Sequence, residues 1–469
     1  MGDAIPILEN RVMSLRFHLF FRNDLVHKKA GYKELKINMK TNRRDFISTA
    51  VGGGLAAAAL PLSSCRSKPT AAGSPLDVAS RYAKLDETLK LPVLKRELFA
   101  SPVIIETIEL LRDRNNFLCR VRSKEGAEGI SAGHGSQNAG NWPVFKGLID
   151  RFRGKDARDL DALVPDGGGK GGGIPFNVQV ATLEIAILDM LGNTVNKPVG
   201  RLIGEIHNPR ITVYQGSRVS ELRQLPPEES LEIVKKDLLE SKAKAIKMRA
   251  GGGGLLDGDN APGRTEKLIR MARETFGDEM VLGCDGNGNY SREGAIRLGK
   301  ILEEYNYSWW EEMVPFGWYD ELKQVNDALK IKIATGESES HLTTFRWLVA
   351  NDACDTVQPD QLYFGGLIRS MRVSRMAAAL GKDIVPHITQ YGLGYLYMLH
   401  FISACPNAGP YQEFDLFSTR DANGNSIPIE SKTIPMTSED GVLTVPTGSG
   451  LGITIDPDYV KTHKVVKDW

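Results

Sequence analysis

The amino-acid sequence predicts an α/β protein built on a (β/α)8-type barrel. From residue 211 onward, eight short apolar runs of strand length alternate with amphipathic helical stretches, which is the pattern of that fold. A polar, mostly ionisable residue ends nearly every run. An open doubly wound sheet is the structural alternative, disfavoured because no Gly-x-Gly-x-x-Gly turn follows an early strand. The predicted strands are Ile211–Tyr214, Ala245–Met248, Met280–Cys284, Ser308–Trp310, Ile331–Thr335, Thr356–Gln358, Asp383–Pro386 and Pro410–Gln412.

The overall composition is that of a globular protein. The 469 residues include 59 Lys and Arg against 58 Asp and Glu, and 41% of them are hydrophobic. This balance excludes a mostly disordered chain and a polytopic membrane protein. Residues 1–64 hold an excess of basic side chains, so the remainder is mildly acidic. An acidic body argues against a nucleic-acid partner, which requires a basic face.

The N-terminal region carries the features of an export signal. Residues 42–47 place two arginines before an apolar, small-residue run that ends in Leu62-Ser63-Ser64-Cys65. The run is too short for a membrane span, and the whole resembles a twin-arginine (Tat) signal with a lipobox. We therefore assign residues 1–64 to an export signal, and we expect the true start of the protein to be Met39. Residues 65–100 would then form a lipidated cysteine and a tether. The expected product is a periplasmic or cell-surface lipoprotein that is attached to the membrane only through Cys65.

Chemically active residues end the predicted barrel strands at a regular interval. From the third of these strands onward, successive residues are separated by 26, 26, 23, 27 and 26 positions, about the length of one strand-helix unit. In a barrel the carboxyl ends of the strands converge on one mouth, where active sites lie. The strand-end residues are Lys247, Arg249, Asp285, Glu311, Glu337, Asp360, His387 and Glu413.

Three of these acids predict a metal site. Asp285, Glu311 and Glu337 end adjacent strands with no base between them, and acids gathered there repel one another unless a cation neutralises them. Three hard oxygen ligands suit Mg²⁺. Asp360 and His387 end the next two strands, where a carboxylate can hold an imidazole in one tautomer and raise its pKa. We expect that pair to act as an acid and base.

From about residue 101 onward, the chain resembles the mandelate racemase subgroup of the enolase superfamily. The resemblance covers more than three quarters of the sequence, and it includes the helical stretch Ala181–Gly204. It is carried by the motifs Ile246-Lys247-Met248-Arg249, Cys284-Asp285-Gly286-Asn287, Trp310-Glu311-Glu312, Thr335-Gly336-Glu337-Ser338, Gln358-Pro359-Asp360, Pro386-His387 and Gln412-Glu413.

The resemblance implies an α+β capping domain formed by the N-terminal part and the C-terminal tail. The implied boundaries are residues 101–208 for the cap, 209–425 for the barrel and 426–469 for a tail that returns to the cap. It also implies that the three acids hold Mg²⁺ and that His387, oriented by Asp360, exchanges the α-proton of a carboxylate substrate. Lys247 is expected near the substrate carboxylate, and Glu413 and Asn287 are expected to bind the substrate.

The implied activity is the dehydration of a sugar acid to a 2-keto-3-deoxy acid. A racemase, epimerase or cycloisomerase of a similar acid is the alternative, and a non-catalytic sugar-acid-binding lipoprotein is a second. Two-base members of the family carry Lys-x-Lys where this chain has Lys247-x-Arg249, and a guanidinium rarely gives up its proton. This departure favours one-base elimination. Specificity is expected from the loops Ala132–Trp142 and Asp166–Ile174, and we expect a homo-oligomer.

Overall fold

The structure is a computed structural model that describes residues 77–164, 173–216, 222–252, 254–389, 393–414, 429–430 and 440–467. The strands are β1 Ile105–Asp113, β2 Asn116–Ser123, β3 Glu128–Gly133, β4 Arg210–Gln215, β5 Ala245–Arg249, β6 Val281–Asp285, β7 Trp309–Glu311, β8 Lys332–Thr335, β9 Thr356–Val357, β10 Asp383–Ile384, β11 Gln412–Phe414, β12 Ile429–Glu430, β13 Val442–Thr444, β14 Thr454–Ile455 and β15 Lys464–Val465. The helices are α1 Val78–Leu89, α2 Gly135–Ala139, α3 Trp142–Phe152, α4 Leu160–Leu163, α5 Ile174–Val195, α6 Val199–Ile203, α7 Pro227–Ser241, α8 Arg264–Phe276, α9 Arg292–Glu304, α10 Tyr319–Ala328, α11 Leu342–Ala350, α12 Leu367–Ala379, α13 Gly394–Ser403 and α14 Pro457–Thr462.

All eight strands predicted for the barrel are present. They form one parallel sheet in which β4 to β10 pair in chain order and β11 pairs with β4. A parallel bridge from Ile384 in β10 to Ala408, just before β11, brings the two ends of the sheet together. Strand β5 is buried at all five positions, as expected for a strand that is covered on both faces. The barrel prediction is confirmed.

Amphipathic helices cover the outside of this sheet. Ser291 caps the N-terminus of helix α9. Its side chain accepts a hydrogen bond from the backbone N–H of Gly294, as is common for serine at this position. Its buried residues include Ala295, Leu298 and Leu302, spaced so that one stripe faces the barrel.

The cap is an α+β unit to which the C-terminal tail contributes, as predicted. The cap contains an antiparallel sheet of order β15-β1-β2-β3, so the C-terminal strand β15 adds directly to β1. Asp189 in α5 joins the two parts, because its carboxylate accepts hydrogen bonds from the N–H groups of Ile130 and Leu451 at 2.8 and 2.7 Å. The tail contacts the barrel as well, since β13 pairs antiparallel with β4.

Helix α5 is the core helix of the cap. By length and composition it is apolar enough to cross a membrane, but most of it is buried inside the protein. It packs against β2 and β3, and it comes so close to β3 that a side chain at Gly129 would collide with the backbone of Ala186 and Met190. The apolarity of α5 therefore reflects burial in the cap.

The tether predicted for residues 65–100 is wrong over its second half. Residues 78–89 form α1, which packs against α11 and α12 with Leu85 fully buried. The carboxylate of Asp161 in the cap then accepts the N–H groups of Val93 and Leu94. The segment is ordered because its apolar residues pack on the barrel, although the Ser- and Pro-rich composition that precedes it suggests a tether. The predicted export signal and Cys65 lie outside the described residues.

Candidate active site

The strand-end residues predicted from the sequence meet at the carboxyl end of the barrel. The register of β5, β6 and β7 sets Arg249, Asp285 and Glu311 side by side. Three further members lie two or three residues past the ends of β8, β9 and β10, namely Glu337, Asp360 and His387. Contacts described below connect all of them, together with Lys247 and Glu413, into one site.

Asp285, Glu311 and Glu337 are arranged to hold a divalent metal ion. Each offers one carboxylate oxygen, and these three oxygens all lie within 4.8 Å of one another. Among the described residues, Oε2 of Glu337 is buried and has no hydrogen-bond partner, a costly condition for a carboxylate oxygen unless a ligand completes it. Three convergent hard oxygen donors are the ligand type that divalent cations such as Mg²⁺ prefer. The donor set therefore fits a metal ion.

Lys247 lies beneath the triad and is fully buried. Its Nζ lies 2.6 Å from Glu311 Oε1, 3.2 Å from Glu413 Oε1 and 3.6 Å from Asp285 Oδ2. Burial alone would lower the pKa of Lys247, but Glu311 and Glu413 raise it well above its ordinary value. Burial also raises the pKa of Glu311 to about 7, against the opposing effect of Lys247. Lys247 is therefore a fixed ammonium at the base of the site.

Arg249 is bonded to the same strand-end cluster. Its Nη1 donates to Asp285 Oδ2 and, at 2.6 Å, to Asn287 Oδ1. Burial would lower the pKa of Arg249, yet Asp285 and the other carboxylates hold it above its ordinary value. The guanidinium is therefore a fixed donor. Asn287 Oδ1 also accepts a hydrogen bond from a second arginine, Arg223. The substrate-binding role expected for Asn287 remains a prediction.

Glu312 supports the loop that carries the third metal ligand. Its backbone adopts a left-handed conformation with φ of 41°, and its Oε1 accepts the N–H groups of Gly336 and Glu337, both at 3.2 Å. Burial and the charge of Glu337 raise the pKa of Glu312 well above its ordinary value. Glu311 is thus a member of the triad, while Glu312 holds the backbone at Glu337.

His387 and Asp360, for which the sequence predicts an acid-base role, are in direct contact. His387 Nδ1 lies 3.0 Å from Asp360 Oδ2, and its Nε2 lies 3.5 Å from Glu337 Oε2. Burial alone would lower the pKa of His387, but Glu337, Glu413 and Asp360 outweigh it and raise that pKa to about 10. The backbone N–H of Thr389 also donates to Asp360 Oδ2, at 3.0 Å. One imidazole nitrogen is thus oriented by Asp360 and the other faces the metal ligands.

Glu413 connects the lysine side of the site to the histidine side. Besides its contact with Lys247, its Oε2 accepts the backbone N–H of Ile388 at 2.9 Å. Burial would raise the pKa of Glu413, but Lys247 and His387 lower it below its ordinary value. The carboxylate therefore stays ionised, and its role in substrate binding remains a prediction.

Two aromatic side chains near Lys247, those of Tyr214 and Trp309, were not identified from the sequence. The Tyr214 ring in β4 lies 5.5 Å from Lys247 Nζ and 5.3 Å from the ring of Trp309, centre to centre. Trp309 Nε1 donates to Glu311 Oε2 at 3.1 Å. Both aromatic residues follow the strand alternation that places Lys247 inside the barrel, so their position could have been read from the periodicity.

A histidine of the cap also reaches the mouth. This residue is His134, which directly precedes α2. Its ring centre lies 5.9 Å from that of Tyr363, which follows β9. Burial lowers the pKa of His134, and the negative charge of Asp360 opposes this effect. Nothing in the sequence spacing links residue 134 to residue 363, because the contact depends on how the cap folds over the barrel.

A barrel whose mouth joins three convergent carboxylates, a buried lysine and a histidine–aspartate pair defines a metal-dependent enzyme of the (β/α)8 class. Residues 231–459 match the family model described as enolase C-terminal domain-like. This segment of the chain therefore belongs to the mandelate racemase/muconate lactonizing enzyme family of the enolase superfamily.

Three relatives illustrate the range of similarity. The chain is 27% identical over 349 residues to the L-talarate/galactarate dehydratase of Salmonella typhimurium, covering 72% of this chain and 80% of that protein. It is 28% identical over 200 residues to the D-galactarolactone cycloisomerase of Agrobacterium fabrum, covering 42% and 53%. A mandelate racemase/muconate lactonizing protein of Paracoccus denitrificans, solved with magnesium, superposes with a TM-score of 0.68 at 24% identity, covering 78% of this chain and 99% of that one.

Proposed function

We propose that this protein is a magnesium-dependent dehydratase of a sugar acid. It removes the α-proton of a 2-hydroxy carboxylate and expels the β-hydroxyl as water, and the enol that results tautomerises to a 2-keto-3-deoxy acid. The observation that carries the proposal is the asymmetry of the site. A histidine oriented by a carboxylate stands after β10. Strand β5, which is separated from β10 by β6 to β9 on one side and by β4 and β11 on the other, presents a guanidinium bonded to Asp285 and Asn287.

The metal ligands are proposed to be Asp285, Glu311 and Glu337. Bound magnesium would supply a Lewis acid that holds the substrate carboxylate and offsets the negative charge that develops as the α-proton leaves, worth several kcal/mol. Lys247 contributes a second positive charge from a buried position, where an electrostatic interaction is stronger than in water.

His387 is proposed to move the proton. Its Nε2 faces the triad, and Asp360 accepts the hydrogen on Nδ1, which leaves the Nε2 lone pair free to take the α-proton when the imidazole is neutral. The imidazolium that forms is stabilised by Asp360, and it can return its proton to the departing hydroxyl on the same face. One base on one face is sufficient for elimination.

Racemisation is disfavoured by the same geometry. Inversion at the α-carbon requires a base on each face, and Arg249 stands where two-base members of the family carry their second lysine. The pKa of Arg249 lies above an already high ordinary value. The similarity to the dehydratase of Salmonella typhimurium supports the proposal, because it extends over 349 residues against 200 for the cycloisomerase.

The decisive experiment is a screen of purified protein against mono- and diacid sugars with Mg²⁺, followed by detection of a 2-keto product. Formation of a 2-keto-3-deoxy acid, lost on chelation of the metal, is the expected result. Conversion of a substrate into its epimer or a lactone isomer without loss of water would overturn the proposal. Binding of sugar acids with no α-proton exchange would instead favour the non-catalytic alternative.

We also propose that the protein is exported through the Tat pathway and anchored by a lipidated Cys65. The ordered twin arginine, apolar run and lipobox support this. Replacement of both Arg43 and Arg44 by Lys should retain the protein in the cytoplasm, and Cys65→Ala should release it from membranes in soluble form. Wild-type protein found soluble in the cytoplasm with an intact N-terminus would contradict the proposal.

A further inference from the structure

A second arginine contacts the site from a loop that the motifs did not single out. Arg223 lies in the segment between β4 and α7, and its Nη2 donates to Asn287 Oδ1 at 2.8 Å and to the backbone oxygen of Ala250 at 3.3 Å. Asn287 Oδ1 therefore accepts hydrogen bonds from two guanidinium groups, those of Arg223 and Arg249. The two guanidinium groups repel each other because they carry like charges. The negative charge of Asp285 opposes this repulsion.

Asn287 is held by the metal ligand that it follows in the chain. Its backbone adopts a left-handed conformation with φ of 42°, which Asn tolerates better than most residues. In that conformation its backbone N–H donates to Asp285 Oδ1 at 2.8 Å, and its Nδ2 donates to Asp285 Oδ2 at 3.3 Å. Both oxygens of Asp285 are thus contacted by one neighbouring residue, which fixes the plane of the carboxylate.

We propose that Arg223 is a positioning residue for the metal ligand Asp285 and that it acts through Asn287. The inference rests on the proposed function, since the metal concerned is the magnesium of the dehydratase. Arg223 holds the amide oxygen of Asn287 while the amide nitrogen donates to Asp285, so the arginine opposes rotation of the amide away from the carboxylate. Residues that orient a metal ligand from outside the coordination sphere commonly change metal affinity by about 10- to 100-fold.

The test is a calorimetric titration of Mg²⁺ into the intact protein, with Arg223→Met compared with wild type. Methionine keeps much of the apolar volume and removes every donor, so Mg²⁺ affinity should fall by about 10-fold or more. Arg223→Lys, which keeps the charge with a single donor group, should fall between the two and covers the case in which the methionine variant folds poorly.

Arg273→Met is the matched control. Arg223 is half-buried and Arg273 is buried. Arg273 donates to the backbone oxygens of Gly277, Met280, Tyr305 and Asn306 at the opposite end of the barrel. Its loss should lower Tm and leave Mg²⁺ affinity unchanged. A parallel loss of Mg²⁺ affinity in this variant would show that any buried arginine has the effect, and it would overturn the positioning role of Arg223.

A double-mutant cycle with Asn287→Ala distinguishes positioning from bulk electrostatics. If Arg223 acts through Asn287, Arg223→Met costs no further Mg²⁺ affinity once Asn287 is alanine. Additive losses, or unchanged affinity in Arg223→Met, would overturn the inference while leaving the proposed function intact. Wild-type protein that does not bind Mg²⁺ would remove the proposed function and this inference together.

Discussion

Nδ1 of His387 lies 3.0 Å from Oδ2 of Asp360, although the two residues are 27 positions apart on separate strand-helix units. The other oxygen of Asp360 accepts the N–H groups of Leu362 and Tyr363, both at 2.8 Å. The aspartate is therefore fixed by the backbone of its own loop before it contacts the imidazole. A carboxylate held in this way selects one tautomer of the histidine and stabilises its protonated form.

Asp360→Asn should lower kcat by about 10²–10⁴-fold with a smaller change in KM, because the amide neither selects the same tautomer nor stabilises the imidazolium. Steady-state kinetics on the substrate found in the screen measure the effect. Asp355→Asn is the control, since Asp355 bonds the backbone N–H of Ile333 below the site and should alter stability but not the kcat of the folded fraction. A kcat for Asp360→Asn within a factor of a few of wild type would contradict the assigned pairing.

Glu337→Gln should abolish Mg²⁺ binding and activity while the barrel stays folded, because a neutral amide oxygen is a poor substitute for a carboxylate ligand. Isothermal calorimetry and circular dichroism measure the two properties separately. Glu339→Gln is a matched control on the same loop, since Glu339 accepts a hydrogen bond from Tyr319 at 2.9 Å and is not part of the triad. Unchanged Mg²⁺ affinity in Glu337→Gln would show that the triad is not the metal site.

The sequence could predict the barrel and the acidic triad because both depend on spacing within one strand-helix unit. An interval of about 26 residues places each strand-end side chain at the same level of the sheet, so Asp285 and Glu311 had to be neighbours. The aspartate–histidine pair followed from the same regularity. Residue type then decided the chemistry, since carboxylates and a histidine occupied every strand-end position from Asp285 onward.

Contacts made by irregular segments could not be predicted in this way. Arg223 reaches Asn287 from a loop without periodicity, and His134 reaches Tyr363 from the cap, so both depend on tertiary packing alone. The occupied amide of Asn287 is a consequence of its left-handed φ, which no motif specifies. Helix α1 was missed because the composition before residue 76 suggested a tether and the short apolar pattern around Leu85 was not weighed against it.

Leu85→Ala should lower the free energy of unfolding by about 2–5 kcal/mol, the usual cost of removing a fully buried leucine side chain. Leu85 is fully buried where α1 packs on α11 and α12. Lys84→Ala, an exposed neighbour on the same helix, should change stability by less than about 0.5 kcal/mol. Urea unfolding followed by tryptophan fluorescence compares the two variants, and equal effects would mean that α1 does not stabilise the barrel.

Glu184→Gln should remove part of the pH dependence of stability. Burial raises the pKa of Glu184 to about 8 although the N–H groups of Ile368 and Leu367 bond its Oε1. Between its ordinary pKa and about 8, the folded protein keeps a proton that the unfolded chain has lost. Wild-type stability should therefore fall as pH rises, by on the order of 1.4 kcal/mol per pH unit from this group.

In Glu184→Gln the glutamine keeps the same acceptor oxygen and cannot titrate. Its amide replaces the O–H of the protonated carboxyl, so the fold should tolerate the change. Urea unfolding at pH 5 and pH 8 should show that wild type loses stability relative to the variant as pH rises. Parallel stability curves would contradict the raised pKa.

His387→Asn should eliminate both exchange of the α-proton and formation of the 2-keto product. The reason lies in what remains at the site once the imidazole is gone. Lys247 is held as an ammonium by Glu311 and Glu413, and Arg249 is held as a guanidinium by Asp285. Neither side chain has a free lone pair near neutral pH, so no base remains on either face of the substrate. NMR in heavy water, run on both α-epimers of the substrate with Mg²⁺ present, measures exchange directly. Exchange at one epimer in the variant would show that Lys247 or Arg249 acts as a base, and the one-base mechanism that separates dehydration from racemisation would then be wrong.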